Sequence, residues 1–237
     1  MTWSIVAHDP ETGAFGVAVT TRFFAVGALC PHARSGVGAL ATQALINPLF
    51  GPRGLELLAA EVEPQEIVRR LLGADEGREH RQLHLIDRRG RIAQHSGRQC
   101  IGWCGARAGP GYSVAGNMLA GERVVDDTAA AYEANARLPF AERLLAALDA
   151  GQAAGGDKRG KQSAALRIYT TESYPSLDLR VDDHPEPLIE LRRLHEVSKE
   201  IFQPFLAFLP SQIDPAGIYD RAVIDAELAR RQAARNG

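Results

Sequence analysis

Three cysteines, Cys30, Cys100 and Cys104, are all that 237 residues supply. An odd count cannot close a full set of disulfides, and without a secretory leader it points to reduced thiols. Cys100 and Cys104 are half of a zinc set at most. No second cysteine pair completes it, so neither a metal nor a cofactor is expected. Net charge is nearly absent too: 27 Lys+Arg stand against 29 Asp+Glu, a formal −2. That leaves no basic footprint for nucleic acid or an anionic membrane. No apolar run approaches the roughly 20 residues of a spanning helix. The first residues carry no basic n-region, long apolar stretch or cleavage site, so a cytoplasmic chain starting at or beside Met1 is expected.

What the sequence does have is an ordinary globular composition, 45% hydrophobic and 24% charged. One large domain with an appendage fits the length. WSIVAHD and AFGVAVTT flank Asp9-Pro10-Glu11-Thr12-Gly13, which predicts a hairpin over residues 3–21. AVGALC and GVGALATQAL read as small-residue strands buried on both faces. PRGLELLAAEV and EPQEIVRRLLGAD have helical spacing, and RQLHLID with RIAQHSG forms a second hairpin. GYSVAGNML is a short strand, helices follow near 121–135 and 139–152, and SAALRIY is the next strand. Strict β-α-β alternation is missing, so antiparallel sheets covered by helix pairs are expected. The main domain is read as residues 1–175. Residues 176–237 form a mainly helical appendage whose apolar face packs on its own domain or on a second copy, a homo-oligomer.

The chemistry begins at Thr2. Initiator methionine is typically removed before a small residue, which would leave an α-amine beside the Thr2 hydroxyl. Such an amine titrates near pH 8 and can act as base for its own hydroxyl. A buried strand starting at the next residue would hold the pair still. Ser4 lies on the same strand face by the period of two and is the alternative nucleophile, or a packing residue.

TWSIVAHDPETGAFGVAVTT resembles the first hairpin of the N-terminal-nucleophile (Ntn) hydrolases. TWSIVAHDPETGAFGVAV, GVGALATQALINPLFGPRGLELL, GYSVAGNMLAG and AGQAAGGDKRGKQSAAL together resemble domain-of-unknown-function family 1028, over about residues 2–170. The resemblance implies an α+β fold, a four-layer αββα sandwich of two antiparallel sheets flanked by helix pairs. By analogy with the superfamily it implies a hydrolase cleaving an amide or related acyl bond of a small polar substrate. It names no substrate.

Several residues could support such chemistry. Asn117, where GYSVAGNML turns, is an oxyanion donor or a turn asparagine. Thr20 and Thr21 end the hairpin beside Thr2; they orient substrate or amine, or are ordinary strand residues. Thr42, Gln43 and Asn47 are polar islands in ATQALINPL, either a buried network or a pocket wall. Gly155 to Lys161 satisfies GxxxxGK, but Gln162 follows where Ser or Thr is needed, and the order is helix–loop–strand. Nucleotide binding is therefore rejected. Two readings of the loop remain: Lys158 or Arg159 meets a carboxylate and Asp157 an amine, or the loop is a solvated one. His8, His84 and His95 read as half-exposed sheet residues. Ser113 in G-x-S-x-A is close to a nucleophile elbow but sits inside its own strand. The competing reading is a non-catalytic ligand-binding or assembly protein with the same fold.

Overall fold

The expected hairpin forms the centre of a sheet in the computed structural model, which describes residues 2–236. β1 (Thr2–Asp9) and β2 (Ala14–Thr21) pair antiparallel from Thr2–Thr21 to Asp9–Ala14. Asp9 holds the turn: its carboxylate accepts the Glu11 N–H at 3.2 Å and the Thr12 hydroxyl at 2.5 Å. Gly13 supplies the positive φ of 71° that the turn needs.

β8 (Tyr112–Leu119) pairs with the other side of β1 and sets Asn117 opposite Thr2. Adding β7 (Trp103–Gly109), β9 (Ser163–Tyr169) and β10 (Leu177–Val181) gives a six-stranded sheet of order β10-β9-β2-β1-β8-β7. A four-stranded sheet of order β3-β4-β5-β6 is built from β3 (Pro31–Arg34), β4 (Gly38–Ala44), β5 (Arg81–Asp87) and β6 (Ile92–Ser96). Every pairing in both sheets is antiparallel.

The sheets meet face to face through Val6, Val17 and Val19 on one side and Ala39, Ala41 and Ile86 on the other. α1 (Phe50–Ala59) and α2 (Pro64–Gly73) cover the four-stranded sheet, where Leu58, Ile67 and Leu71 pack on Leu40, Leu83 and Leu85. Each such side chain, fully buried, contributes roughly 1.5–3 kcal/mol. α3 (Arg123–Ala134) and α4 (Phe140–Ala153) lie on the six-stranded sheet. There Trp3, on the opposite face of β1 from Thr2, needs the space at Gly151. A Cβ on Gly151 would lie 2.7 Å from Trp3 Nε1 and 2.2 Å from Thr128 Oγ1.

Two compact units divide the chain, residues 1–191 and 192–237. α5 (Pro187–Ser198) crosses that boundary in sequence, and in the second unit α6 (Phe202–Phe205) packs on α7 (Arg221–Asn236). Ten strands and seven α-helices are thus formed among the described residues. None of these helices is long and apolar enough to cross a membrane.

The stretch AVGALC is not a strand. Ala25 takes φ +52° and Val26–Ala28 form a 3-10 turn, with the Ala25 N–H donating to Asp182 O at 2.9 Å. β7 and β10 are strands that sequence periodicity does not indicate.

Candidate functional site

One row of cross-strand partners defines the site. Thr21, Thr2, Asn117 and Cys104 stand opposite one another on β2, β1, β8 and β7, so their side chains share the sheet face that looks at the second sheet. Thr2 Oγ1 lies 3.1 Å from Thr21 Oγ1. The Asn117 amide donates to the Thr2 carbonyl at a long 3.4 Å and to Gln82 Oε1 at 3.1 Å. Asn117 lies within β8, not in a turn; the turn-like backbone belongs to Met118, at φ +54°.

Deeper between the sheets the polar groups form one network. Ser4 Oγ donates to Gln43 Oε1 at 2.8 Å, so its only hydrogen is committed. His84 Nε2, also 2.8 Å from Ser4 Oγ, must then be the donor. That leaves His84 Nδ1 to accept from Ser113 Oγ at 2.8 Å. Gln43 Nε2 donates to Gln82 Oε1 at 2.8 Å and to Ala115 O at 3.1 Å, which links the network to Asn117. Burial keeps His84 neutral and pushes its pKa down to about 3. It is a fully buried residue, not a half-exposed one. Ser4 and Ser113 are likewise sealed in, and no strand-to-helix turn follows Ser113.

Thr2 itself is 8% exposed and lines a cavity of about 290 Å³, as do Gln43 and Asn117. The walls are mostly apolar: Phe23, Val26, Leu45, Ile46, Ile101 and Met118. Phe23, Leu45 and Ile101 remain 54, 61 and 69% exposed. A mostly apolar lining with a few polar side chains is the usual form of a small-molecule site. Two of its lining residues, Ala44 and Met118, hold positive φ (70° and 54°) without being glycine. Such backbone costs on the order of 1–3 kcal/mol and clusters at functional sites.

The other residues singled out from sequence divide clearly. Gln43 and Arg159 line the cavity, and Thr21 touches Thr2. Thr20 does not reach it: its hydroxyl donates to Ser163 O at 3.0 Å. Thr42 donates to Asn47 O at 3.1 Å. Asn47 bonds Asp75 at 3.2 Å, and Arg81 bonds both Asp75 (2.8 Å) and Leu45 O (2.5 Å). This clamp fixes the Leu45–Ile46 wall, and the Arg81 guanidinium holds the Asp75 carboxyl down to about 2. Asp157 is buried away from the lining, accepting from the Arg22 and Arg159 N–H groups at 2.8 Å each. Its carboxylate also pairs with the Arg159 guanidinium at 3.1 Å, so that cation faces the cavity already neutralised. Lys158 is exposed and outside the lining. Met1, on whose removal the Thr2 amine depends, lies outside the described residues.

Sequence reasoning missed Gln82 and the apolar wall. The wall comes from segments far apart in the chain, and only its cluster of unpaired apolar residues in loops could have signalled it.

The fold is α+β, two antiparallel sheets with helices on them and a cavity at the end of a central strand. The chain belongs to the family of unknown function DUF1028, whose family model matches residues 2–191. It is 32% identical to protein SPO2555 from Silicibacter pomeroyi, a crystal structure carrying the same DUF1028 description. That match covers 93% of this chain and 96% of the other, with a TM-score of 0.86. Anbu (ancestral beta-subunit) from Yersinia bercovieri is 13% identical over 84% of this chain and 96% of its own, with a TM-score of 0.39. No curated protein matches the chain.

Proposed function

We propose that this protein is an Ntn-type amidohydrolase in which Thr2, freed by removal of Met1, is the nucleophile. One observation carries the reading: Thr2 lines the cavity with its hydroxyl on Thr21 Oγ1 and its carbonyl reached by the Asn117 amide, on a strand paired on both sides. The helix-covered sheets are read as the four-layer αββα sandwich that the sequence resemblance implies. The freed α-amine takes the hydroxyl proton as Oγ1 attacks the acyl carbon. The Asn117 N–H that reaches Thr2 O at 3.4 Å is the weaker of its two bonds and turns to the developing oxyanion. The tetrahedral species collapses, the amine leaves with the proton, and water releases the acyl group from Thr2.

The apolar wall and the neutralised Arg159 favour a substrate with an uncharged, apolar acyl arm over a small polar one. A non-catalytic ligand-binding role is favoured by a different fact: both Asn117 amide hydrogens are already engaged, so Asn117 is not an idle donor.

Intact mass and an electrophilic acyl probe decide between them. Catalysis requires chain lacking Met1 and probe mapped to Thr2, both label and turnover vanishing in Thr2→Ala. Uniform retention of Met1, or undiminished turnover by Thr2→Ala, would remove Thr2 from the chemistry.

A further inference from the structure

Cys100 and Cys104 bracket the loop that leads into β7. Cys104 ends the row that begins at Thr21, and the Gln82 side chain that accepts from Asn117 also donates to Cys104 Sγ at 3.4 Å. Cys100 Sγ donates to the neighbouring Arg81 carbonyl at 3.4 Å. Both sulfurs are thus seated over adjacent residues of β5, near enough for each thiol to shift the titration of the other. Each is half-buried, with an open side to solvent, and Cys100 lines the Thr2 cavity. Between them Gly102 takes φ +69°, which turns the loop back and lets residues four apart in sequence bring their sulfurs together. The third thiol, Cys30, is completely buried.

We propose that Cys100 and Cys104 form a hydroperoxide-reactive dithiol in the cavity wall, with Cys104 the attacking sulfur and Cys100 the one that resolves it into a disulfide. In the first step the Cys104 sulfur attacks the hydroperoxide ROOH. An S–O bond forms, the O–O bond breaks, and the alkoxide leaves as ROH with the Cys104 proton. In the second, the Cys100 sulfur attacks the Cys104 sulfenic acid. The S–S bond forms, the S–O bond breaks, and hydroxide leaves with the Cys100 proton as water. The thiols lose two electrons and two protons; the peroxide gains both.

The division of labour follows from the partner of each sulfur on β5. The Cys100 S–H is committed to the Arg81 carbonyl, whereas Cys104 Sγ accepts from Gln82 Nε2; next to Cys100, Cys104 is held down to about 7 and Cys100 is pushed up. Burial pushes Cys30 up as well, so it stays a thiol. Because Cys100 is part of the cavity lining, the redox state of the pair is written into the wall beside Thr2, whatever chemistry Thr2 performs.

Hydrogen peroxide is the probe, applied to the reduced full-length protein and read by intact mass and peptide mapping. The expected product has lost two hydrogens, carries a Cys100–Cys104 crosslink, and is restored by dithiothreitol. In Cys100→Ser the oxidation stops at a Cys104 sulfenic acid trapped by dimedone; in Cys104→Ser residue 100 stays a thiol at the same dose. First oxidation at Cys30 or Cys100, a Cys104 sulfinic acid without crosslink in the unaltered chain, or no reaction would each overturn the proposal. The unaltered chain decides the matter even if a variant fails to fold.

Discussion

Acidification should unfold this protein through His84, and the size of the effect follows from its seat between the sheets. The ring is fully buried, with Nε2 donating to Ser4 and Nδ1 accepting from Ser113, so the neutral form is satisfied on both sides. Its folded pKa is held down to about 3 by burial, which outweighs the opposing pull of the Ser113 backbone. The unfolded ring titrates near 6.5. Between those values the unfolded chain binds a proton that the folded chain refuses, so stability is intact above about pH 6.5 and falls as pH drops. The slope approaches about 1.4 kcal/mol per pH unit, or a loss of about 2 kcal/mol between pH 7 and 5. At pH 5 that loss is set by the unfolded ring alone, provided the folded value stays well below 5. Urea unfolding at intervals from pH 7.5 to 4.5, for the unaltered chain and His84→Gln, isolates it, because other titrating groups cancel in the difference. The variant should be less stable at pH 7 yet lose about 2 kcal/mol less on the way to pH 5. Parallel curves for the two proteins would show that His84 is not held neutral, and the hydrogen-bond assignment between the sheets would fall with it.

Gly151→Ala should lower stability by roughly 1–3 kcal/mol, since its Cβ has no room beside Thr128 and Trp3; an unchanged urea midpoint would show that α4 can shift off β1. On the proposed mechanism, Asn117→Ala should slow acylation of Thr2 by a probe roughly 100–1000-fold with the label still on Thr2. An equal rate in the two proteins would remove Asn117 from the oxyanion site.

The hairpin of residues 2–21 was legible because Asp9 to Gly13 combine turn chemistry with apolar runs on both sides, and its antiparallel register then brings Thr21 to Thr2. β7 was not legible. It is an edge strand whose residues 106–108 are exposed, and CGARAG has neither β-branched residues nor alternation to announce it. AVGALC misled because small apolar residues suit a buried strand and a tight turn equally; the backbone at Ala25 decided it. The error over His84 has a different origin. RQLHLID alternates, and alternation ordinarily means that one face meets water. Here Leu83 and Leu85 face helices, while Gln82 and His84 face another sheet, so both faces are dry and the polar one is satisfied by side chains from β1, β4 and β8. Contacts of that reach are invisible to local periodicity.

The amides and hydroxyls joining Ser4, Gln43, Gln82 and His84 have a bearing on how the chain finds its form. A one-residue slip of β4 or β5 would carry Thr42, or Leu83 and Leu85, into the gap between the sheets and strand the remaining partners without water. Wrong alignments of these short, small-residue strands are therefore rejected at assembly, when the two halves first close on each other. The column works as a proofreader of strand alignment, and changes to it should be tolerated only as matched pairs drawn from opposite sheets.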